Sequence, residues 1–401
     1  MAGTPKGMRL HIGVFGRRNA GKSSFVNLMT DQEVSIVSEV AGTTTDPVEK
    51  PMELLPLGPV LFVDTAGIDD AGGLGEKRVQ KTKIVMDRTD VAVLLVDPGH
   101  WDTYEISLIE TFKERDIPIL GVFNKSDLGP SSQAAVDYLS THDIPTLSVS
   151  CKDRIGVNTF KEALLKTAPD SFLQPPAIVG DLIQPGDMVV LVIPIDLEAP
   201  KGRLILPQVQ SIRDILDTDA TCAVTKEREL RSLLDNLKRA PALVVTDSQA
   251  FLKVAGDTPD EIPMTSFSIL FARNKGDLQV FVDGARTIDQ LKSGDKVLIA
   301  EACTHHPIGE DIGRIKIPRW LSQYVGSKLT FDVFSGQDFP DNLADYKLVI
   351  HCGSCMFNRR QVLTRTLKCR EAGVPITNYG VCISYTLGIF ERALRVFPHI
   401  H

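Results

Sequence analysis

The stretch Arg9-Leu-His-Ile-Gly-Val-Phe15 runs straight into Gly16-Arg17-Arg18-Asn19-Ala20-Gly21-Lys22-Ser23, and no other feature limits the fold as tightly. A short apolar strand, a Gly-x-x-x-x-Gly-Lys-Ser loop and a following helix form a phosphate-binding loop in its required context. The glycines let backbone N–H groups close around phosphate oxygens, and the helix directs its positive end at them. Lys22 is placed to reach the β- and γ-phosphates and Ser23 to ligate Mg²⁺. Gly16, Asn19, Ala20, Gly21, Lys22, Ser23 and Ser24 are the candidate phosphate contacts.

Four further runs follow in a fixed order. Leu61-Phe-Val63 leads into Asp64-Thr65-Ala66-Gly67, where Asp64 is expected to hold Mg²⁺ through water and the Gly67 N–H to face the γ-phosphate. Upstream lies Gly42-Thr43-Thr44-Thr45-Asp46, with Thr44 the expected last protein ligand of the metal. The strand at 117–123 ends in Asn124-Lys125-Ser126-Asp127, and the strand at 144–149 in Ser150-Cys151-Lys152. A carboxylate at Asp127 accepts from N1–H and the 2-amino group of guanine, donors that adenine lacks, so it selects GTP. These runs resemble a small G domain over residues 8–170. Lys22, Asn19, Thr44 and Asp64 are its expected catalytic group.

The residue after Gly67 is Ile68, where Ras-like GTPases carry a water-orienting glutamine; an aliphatic side chain cannot position water. Asn19 matches the loop asparagine of the G proteins that recruit K⁺ in place of an arginine finger. Its other reading is a residue that shapes the loop. Slow intrinsic hydrolysis stimulated by K⁺ is the expectation.

A second constellation lies far downstream. Lys296-Val-Leu-Ile-Ala300 precedes Cys303-Thr304-His305, and Lys347-Leu-Val-Ile350 precedes His351-Cys352-Gly353-Ser354-Cys355. Both apolar runs read as buried parallel strands, whose carboxyl ends collect ligand sites in open α/β sheets. A helix starting near Asn358 would favour thiolates nearby. Three thiolates suit a tetrahedral zinc site completed by His305 or His351, or an iron–sulfur cluster short of one cysteine. The remaining cysteines, Cys151, Cys222, Cys369 and Cys382, read as structural.

At 401 residues the chain is too long for one ordinary core. A proline-punctuated segment, 169–185, marks a boundary. Beyond it a βα module over 180–263 has a strand at 187–193, a helix near 208–217 and a charged helix near 226–239. Such a module either pairs an edge with a second copy or serves as a connector. A second α/β domain, 264–401, carries the thiol run. A net charge of −7 argues against general nucleic-acid binding. No apolar run is long enough to span a bilayer, Met1–Met8 has no signal-peptide core, and seven scattered cysteines fit a reducing compartment. A cytoplasmic protein is expected.

A K⁺-type G domain followed by Cys-x-His and His-Cys-x-x-Cys resembles the HydF family of FeFe-hydrogenase maturation GTPases, in domain order and over the whole chain. The resemblance implies a Ras-like P-loop domain, a βα dimerisation domain and a C-terminal α/β domain. It implies a 4Fe–4S cluster on Cys303, Cys352 and Cys355, with His305 or His351, a carboxylate (Glu301, Glu310 or Asp311) or solvent at the fourth iron. It implies a homodimer that carries a transient diiron precursor to the apo-hydrogenase and works with two radical-SAM maturases. Two other readings remain at this point: a zinc-containing regulatory GTPase, and a K⁺-type GTPase of tRNA modification.

Overall fold

A computed structural model describes residues 4–30, 47–65, 82–195, 202, 204–302 and 311–400. The chain divides between Pro175 and Pro176 into two compact units.

The first unit is built on a six-stranded sheet of order β2-β3-β1-β4-β5-β6. Its strands are β1 (Leu10–Gly16), β2 (Val48–Leu54), β3 (Gly58–Asp64), β4 (Val91–Val96), β5 (Ile119–Phe123) and β6 (Thr146–Ser148). All pairs are parallel except β2 with β3. β1, β4 and β5 are buried at every residue, as expected of parallel strands covered on both faces. One face packs Phe25, Phe62 and Phe160; the other packs Phe15 and Phe112. Burying each such ring contributes roughly 1.5–3 kcal/mol. β2 alternates towards exposure, in keeping with its edge position. From β1 the chain pairs towards β3 on one side and β4 on the other, so the carboxyl end of β1 is a topological switch point where ligands bind.

The second unit holds two four-stranded parallel sheets. The first has order β10-β9-β7-β8, from β7 (Met188–Val192), β8 (Thr221–Thr225), β9 (Leu243–Thr246) and β10 (Met264–Ser266). The second has order β12-β11-β13-β14, from β11 (Lys296–Glu301), β12 (Thr330–Ser335), β13 (Leu348–His351) and β14 (Ile376–Asn378). β11 and β13 are central, adjacent and parallel, with Ala300 opposite His351. The chain reverses its direction across the sheet there. This brings Ala302, just after β11, beside Cys352, just after β13.

The charged helix read over 226–239 is shorter in the structure, Leu230–Asn236. It ends where Leu237 turns to extended backbone. Among the described residues, no helix is long and apolar enough to cross a membrane.

Candidate functional site

The phosphate loop leaves β1 at Gly16, φ +145°, where a Cβ would lie 2.4 Å from the Leu95 carbonyl oxygen. Gly21, φ +93°, lies so close to Asn124 that a Cβ would meet its Nδ2 at 2.3 Å. Both positions therefore require glycine. Asn19 sits in the left-handed region, φ +63°, which asparagine tolerates better than most residues. Helix α1 (Lys22–Thr30) follows directly. Lys22 is buried, and its Nζ donates to the carbonyls of Gly16 and Arg17, both at 2.8 Å. The lysine thus fastens the two ends of the loop it serves. Ala20 is buried, Ser23 half-buried and Ser24 exposed. Asp64 ends β3 with 4% exposure, and the neighbouring Thr65 hydroxyl donates to the Val14 carbonyl at 2.7 Å.

The guanine-side residues converge from two adjacent strands. Asn124 directly follows β5, its Nδ2 donates to Ala20 O at 2.8 Å, and its Oδ1 accepts from the Cys151 thiol at 3.1 Å. The Ser150 hydroxyl lies 2.9 Å from Asp127 Oδ1 and 3.1 Å from Asp153 Oδ2. Lys125 takes φ +58°, and Lys152 is exposed. Burial pushes the Cys151 thiol up to about 11, so it serves as a neutral donor beside Asn124. Thr44, Gly67 and Ile68 lie outside the described residues.

One feature of this site is absent from the motif reading. Arg17, inside the loop, donates through Nε to Glu105 Oε1 at 2.7 Å and through NH2 to Glu105 Oε2 at 3.3 Å, and it also pairs with Asp102. Glu105 is 1% exposed. Asp102 and Glu105 form the capping box of helix α2 (Thr103–Glu114), so the pair that starts α2 also grips the loop. The Asp-x-x-Glu spacing is the signal that marks it in the sequence.

In the second unit, Cys352 and Cys355 stand in the loop after β13, both half-buried. Cys352 N donates to Ala300 O at 2.9 Å, while Cys352 Sγ accepts from the Ala302 N–H at 3.0 Å and lies 3.5 Å from the Ser354 N–H. One thiol is therefore held one residue from Cys303, although Cys303 and His305 themselves lie outside the described residues, as does Glu310. Ser354 takes φ +55°, and helix α3 (Arg359–Glu371) begins at a capping box of Asn358 and Gln361. Burial pushes the Cys352 thiol up to about 11.

The fold engages the His351 ring through both of its nitrogens. Its ring is 1% exposed. Nε2 lies 3.1 Å from Arg365 NH1, and a guanidinium only donates, so Nε2 accepts and Nδ1 carries the proton. Nδ1 faces Cys352 O at 3.0 Å and Ser354 Oγ at 2.9 Å. Burial and then Arg365 hold its pKa down to about 3. Arg365 is itself packed between Phe339 and Phe357 and donates to Gly336 O and Asp338 O. His351 is thus a neutral brace of the thiol loop, with both nitrogens engaged. Glu301 is buried, with Oε2 receiving Arg314 at 3.0 Å and Ser335 at 2.8 Å. Asp311 accepts from Arg314 N at 2.8 Å. Cys369 and Cys382 are buried in helices, where burial pushes both thiols up to about 12. That agrees with a structural reading.

Among the described residues no group of three or more His, Cys, Asp or Glu side chains is gathered as a metal site. Two half-buried thiols share a loop, backbone N–H groups already point at one of them, and a third cysteine follows the N–H donor Ala302 by one residue.

Comparison with protein families adds to this geometry. Residues 178–276 match the hydrogen maturase F dimerization domain and residues 279–396 the hydrogen maturase F tetramerization domain. The chain belongs to the hydrogen maturase F family. Residues 11–125 of this maturase-family chain match the model described as a 50S ribosome-binding GTPase, and the first unit is a P-loop GTPase domain. The tRNA modification GTPase MnmE of Desulfotalea psychrophila is 30% identical over 181 residues, covering 43% of this chain and 38% of that protein. MnmE of Nitrosomonas europaea is 33% identical over 154 residues, covering 38% and 33%. GTPase Der of Wolinella succinogenes is 32% identical over 170 residues, covering 39% and 35%. The maturase-family chain therefore spans little more than a third of the length of the curated relatives it matches. These similarities concern the GTPase domain.

Proposed function

We propose that this chain is a GTPase scaffold of FeFe-hydrogenase maturation. In this reading it holds a 4Fe–4S cluster on Cys303, Cys352 and Cys355 and delivers a diiron precursor to the apo-hydrogenase. The observation that carries the reading is the Cys352–Cys355 loop, held against Ala302 at the switch point of the C-terminal sheet of a hydrogen maturase F chain. A cluster with three thiolates leaves one iron open to an exchangeable ligand, which suits taking up and releasing a metal fragment. The candidates for that position are His305, His351, Glu301, Glu310, Asp311 or solvent, with His351 the least favoured because both of its nitrogens are engaged.

In the G domain, Lys22 supplies a fixed positive charge to the β- and γ-phosphates of GTP, while Gly16 and Gly21 keep the loop open for them. Asp127, presented beside Ser150, reads the guanine edge. Ser23, Thr44 and, through water, Asp64 would hold Mg²⁺, and Asn19 K⁺; bound there, the cations neutralise charge on the transferring phosphoryl group. The γ-phosphate orders switch segments and hydrolysis releases them, so nucleotide state would govern partner docking or cargo release. The chain acts as a homodimer through the middle domain, in a cytoplasmic setting, with two radical-SAM maturases as suppliers. The MnmE similarity concerns the GTPase domain and does not favour tRNA as a substrate.

The test is transfer. Anaerobic protein isolated after co-expression with the two maturases is expected to activate purified apo-hydrogenase, whereas Cys352→Ala and Cys355→Ala give inactive preparations that still hydrolyse GTP. Full activation by either variant refutes the scaffold reading.

A further inference from the structure

The helix Phe267–Lys275 begins on the middle sheet, where Ser266 closes β10 and caps it by accepting from Ile269 N at 3.2 Å. Its last residue, Lys275, is 6% exposed. The Nζ of Lys275 donates to Phe357 O at 2.6 Å and Ser354 O at 2.8 Å, and lies 3.4 Å from Cys355 O. Arg359, in the first turn of α3, donates in return to the carbonyls of Asn274 and Gly276. The end of one helix and the start of the other are therefore laced together around the thiol loop.

The charge of Lys275 has a consequence of its own. Carbonyl oxygens satisfy the protons of an ammonium without cancelling its charge, and an uncompensated buried charge is costly. The Nζ partners are backbone carbonyls of the loop that carries Cys352 and Cys355, so the charge lies against the thiol site. An anionic group bound through the Cys352 and Cys355 sulfurs would supply a compensating charge at this place. The contact also joins two parts of the family architecture. Lys275 belongs to the segment matched by the dimerization domain, and the loop to the segment matched by the tetramerization domain.

We propose that Lys275 is the positioning residue of the Cys352–Cys355 loop and the counter-charge of the anionic metal–thiolate group held there, so that the dimerization domain sets the geometry of the thiol site. The proposal rests on the thiol-bound metal centre of the preceding section. It predicts that the metal site loses its order when the middle domain's last helical turn is altered, with no ligand touched.

The experiment uses the full chain with Lys275→Met, which removes charge and donors, and Lys275→Arg, which keeps the charge. In metal-free protein, amide hydrogen exchange across 353–358 should accelerate about tenfold or more in Lys275→Met, because hydrogen bonds to a charged donor are lost. Exchange across 188–192, in the buried strand β7, should stay slow and serves as the folding control. After reconstitution with iron and sulfide, the bound centre should show a lower midpoint potential in Lys275→Met than in Lys275→Arg. The reduced form carries the extra negative charge that the lysine stabilises.

Unchanged protection across 353–358, together with an unchanged potential in an iron-loaded Lys275→Met protein, overturns the proposal. Loosened exchange in a chain whose unmodified form takes up no iron supports the positioning role and refutes the metal-centre reading instead. If Lys275→Met does not fold, the unmodified protein still decides. Reductive methylation should label Lys275 about a hundredfold more slowly than the exposed Lys238. Labelling at equal rates overturns the buried-strut assignment.

Discussion

The grip of Arg17 on helix α2 gives a quantitative test of how the phosphate loop is held. Arg17→Ala leaves the Glu105 carboxylate, 1% exposed, with the Asp102 N–H at 3.1 Å and without its guanidinium. Breaking a fully buried ion pair costs about 3–5 kcal/mol. The Arg17 side chain is 30% exposed, however, so solvent screening lowers the expected loss to about 1–2 kcal/mol. For a unit of this size that is a fall of about 2–8 °C in the melting temperature. Calorimetry of the full chain reads it, with the first-unit transition identified by its upward shift on adding GTP. The same variant should bind GTP more weakly, because the Arg17 carbonyl that anchors Lys22 is no longer fixed from the other side. A cycle of Arg17→Ala, Glu105→Gln and the double variant isolates the pair. Coupling of about 1 kcal/mol or more is expected, and additivity within about 0.5 kcal/mol would refute the grip.

Further outcomes follow from the same geometry. Lys22→Ala should abolish hydrolysis in a phosphate-release assay while leaving the fold intact. Asp127→Asn should shift nucleotide preference from guanine towards xanthine in competition binding, since an amide can donate to the extra carbonyl; unchanged GTP selectivity would remove Asp127 from the site. Replacing K⁺ by Na⁺ at constant ionic strength should slow hydrolysis, and Asn19→Ala should erase the difference; equal rates in both salts for the unmodified chain would count against the K⁺ mechanism. His11 is buried, with its pKa lowered first of all by desolvation, so it is neutral in the fold and takes up a proton more readily when unfolded. Its contribution is therefore fully present above about pH 6.5 and is lost as pH falls from there through the folded value, with a slope of at most about 1.4 kcal/mol per pH unit. His11→Gln should flatten that dependence in pH-resolved unfolding curves, and an unaltered slope would assign it to other groups.

The motif-bearing strands were legible because chemistry fixes their ends. Gly16 and Asp64 each close a strand, and Asn124 directly follows one, whose apolar run names the core. β2 and β4 carry no such markers, and β10 is three residues long, too short for any periodicity to show. His351 illustrates the limit at the site itself. The His-Cys-x-x-Cys spacing offers it as a ligand, but its role is set by Arg365 and by carbonyls at Gly336 and Asp338 that position Arg365. Those partners come from other elements of the fold and leave no local pattern. Lys275 is hidden for the same reason: its partners lie about eighty residues away, and a lysine at the end of a helix ordinarily reads as a solvated cap.

Iron and acid-labile sulfide per chain, measured on anaerobically purified and reconstituted protein together with its EPR spectrum after reduction, address the thiol site directly. The account predicts about four of each per chain and the signal of a reduced 4Fe–4S cluster, both lost in Cys352→Ala and Cys355→Ala. Zinc in place of iron, or a cluster that survives the removal of both cysteines, would contradict it.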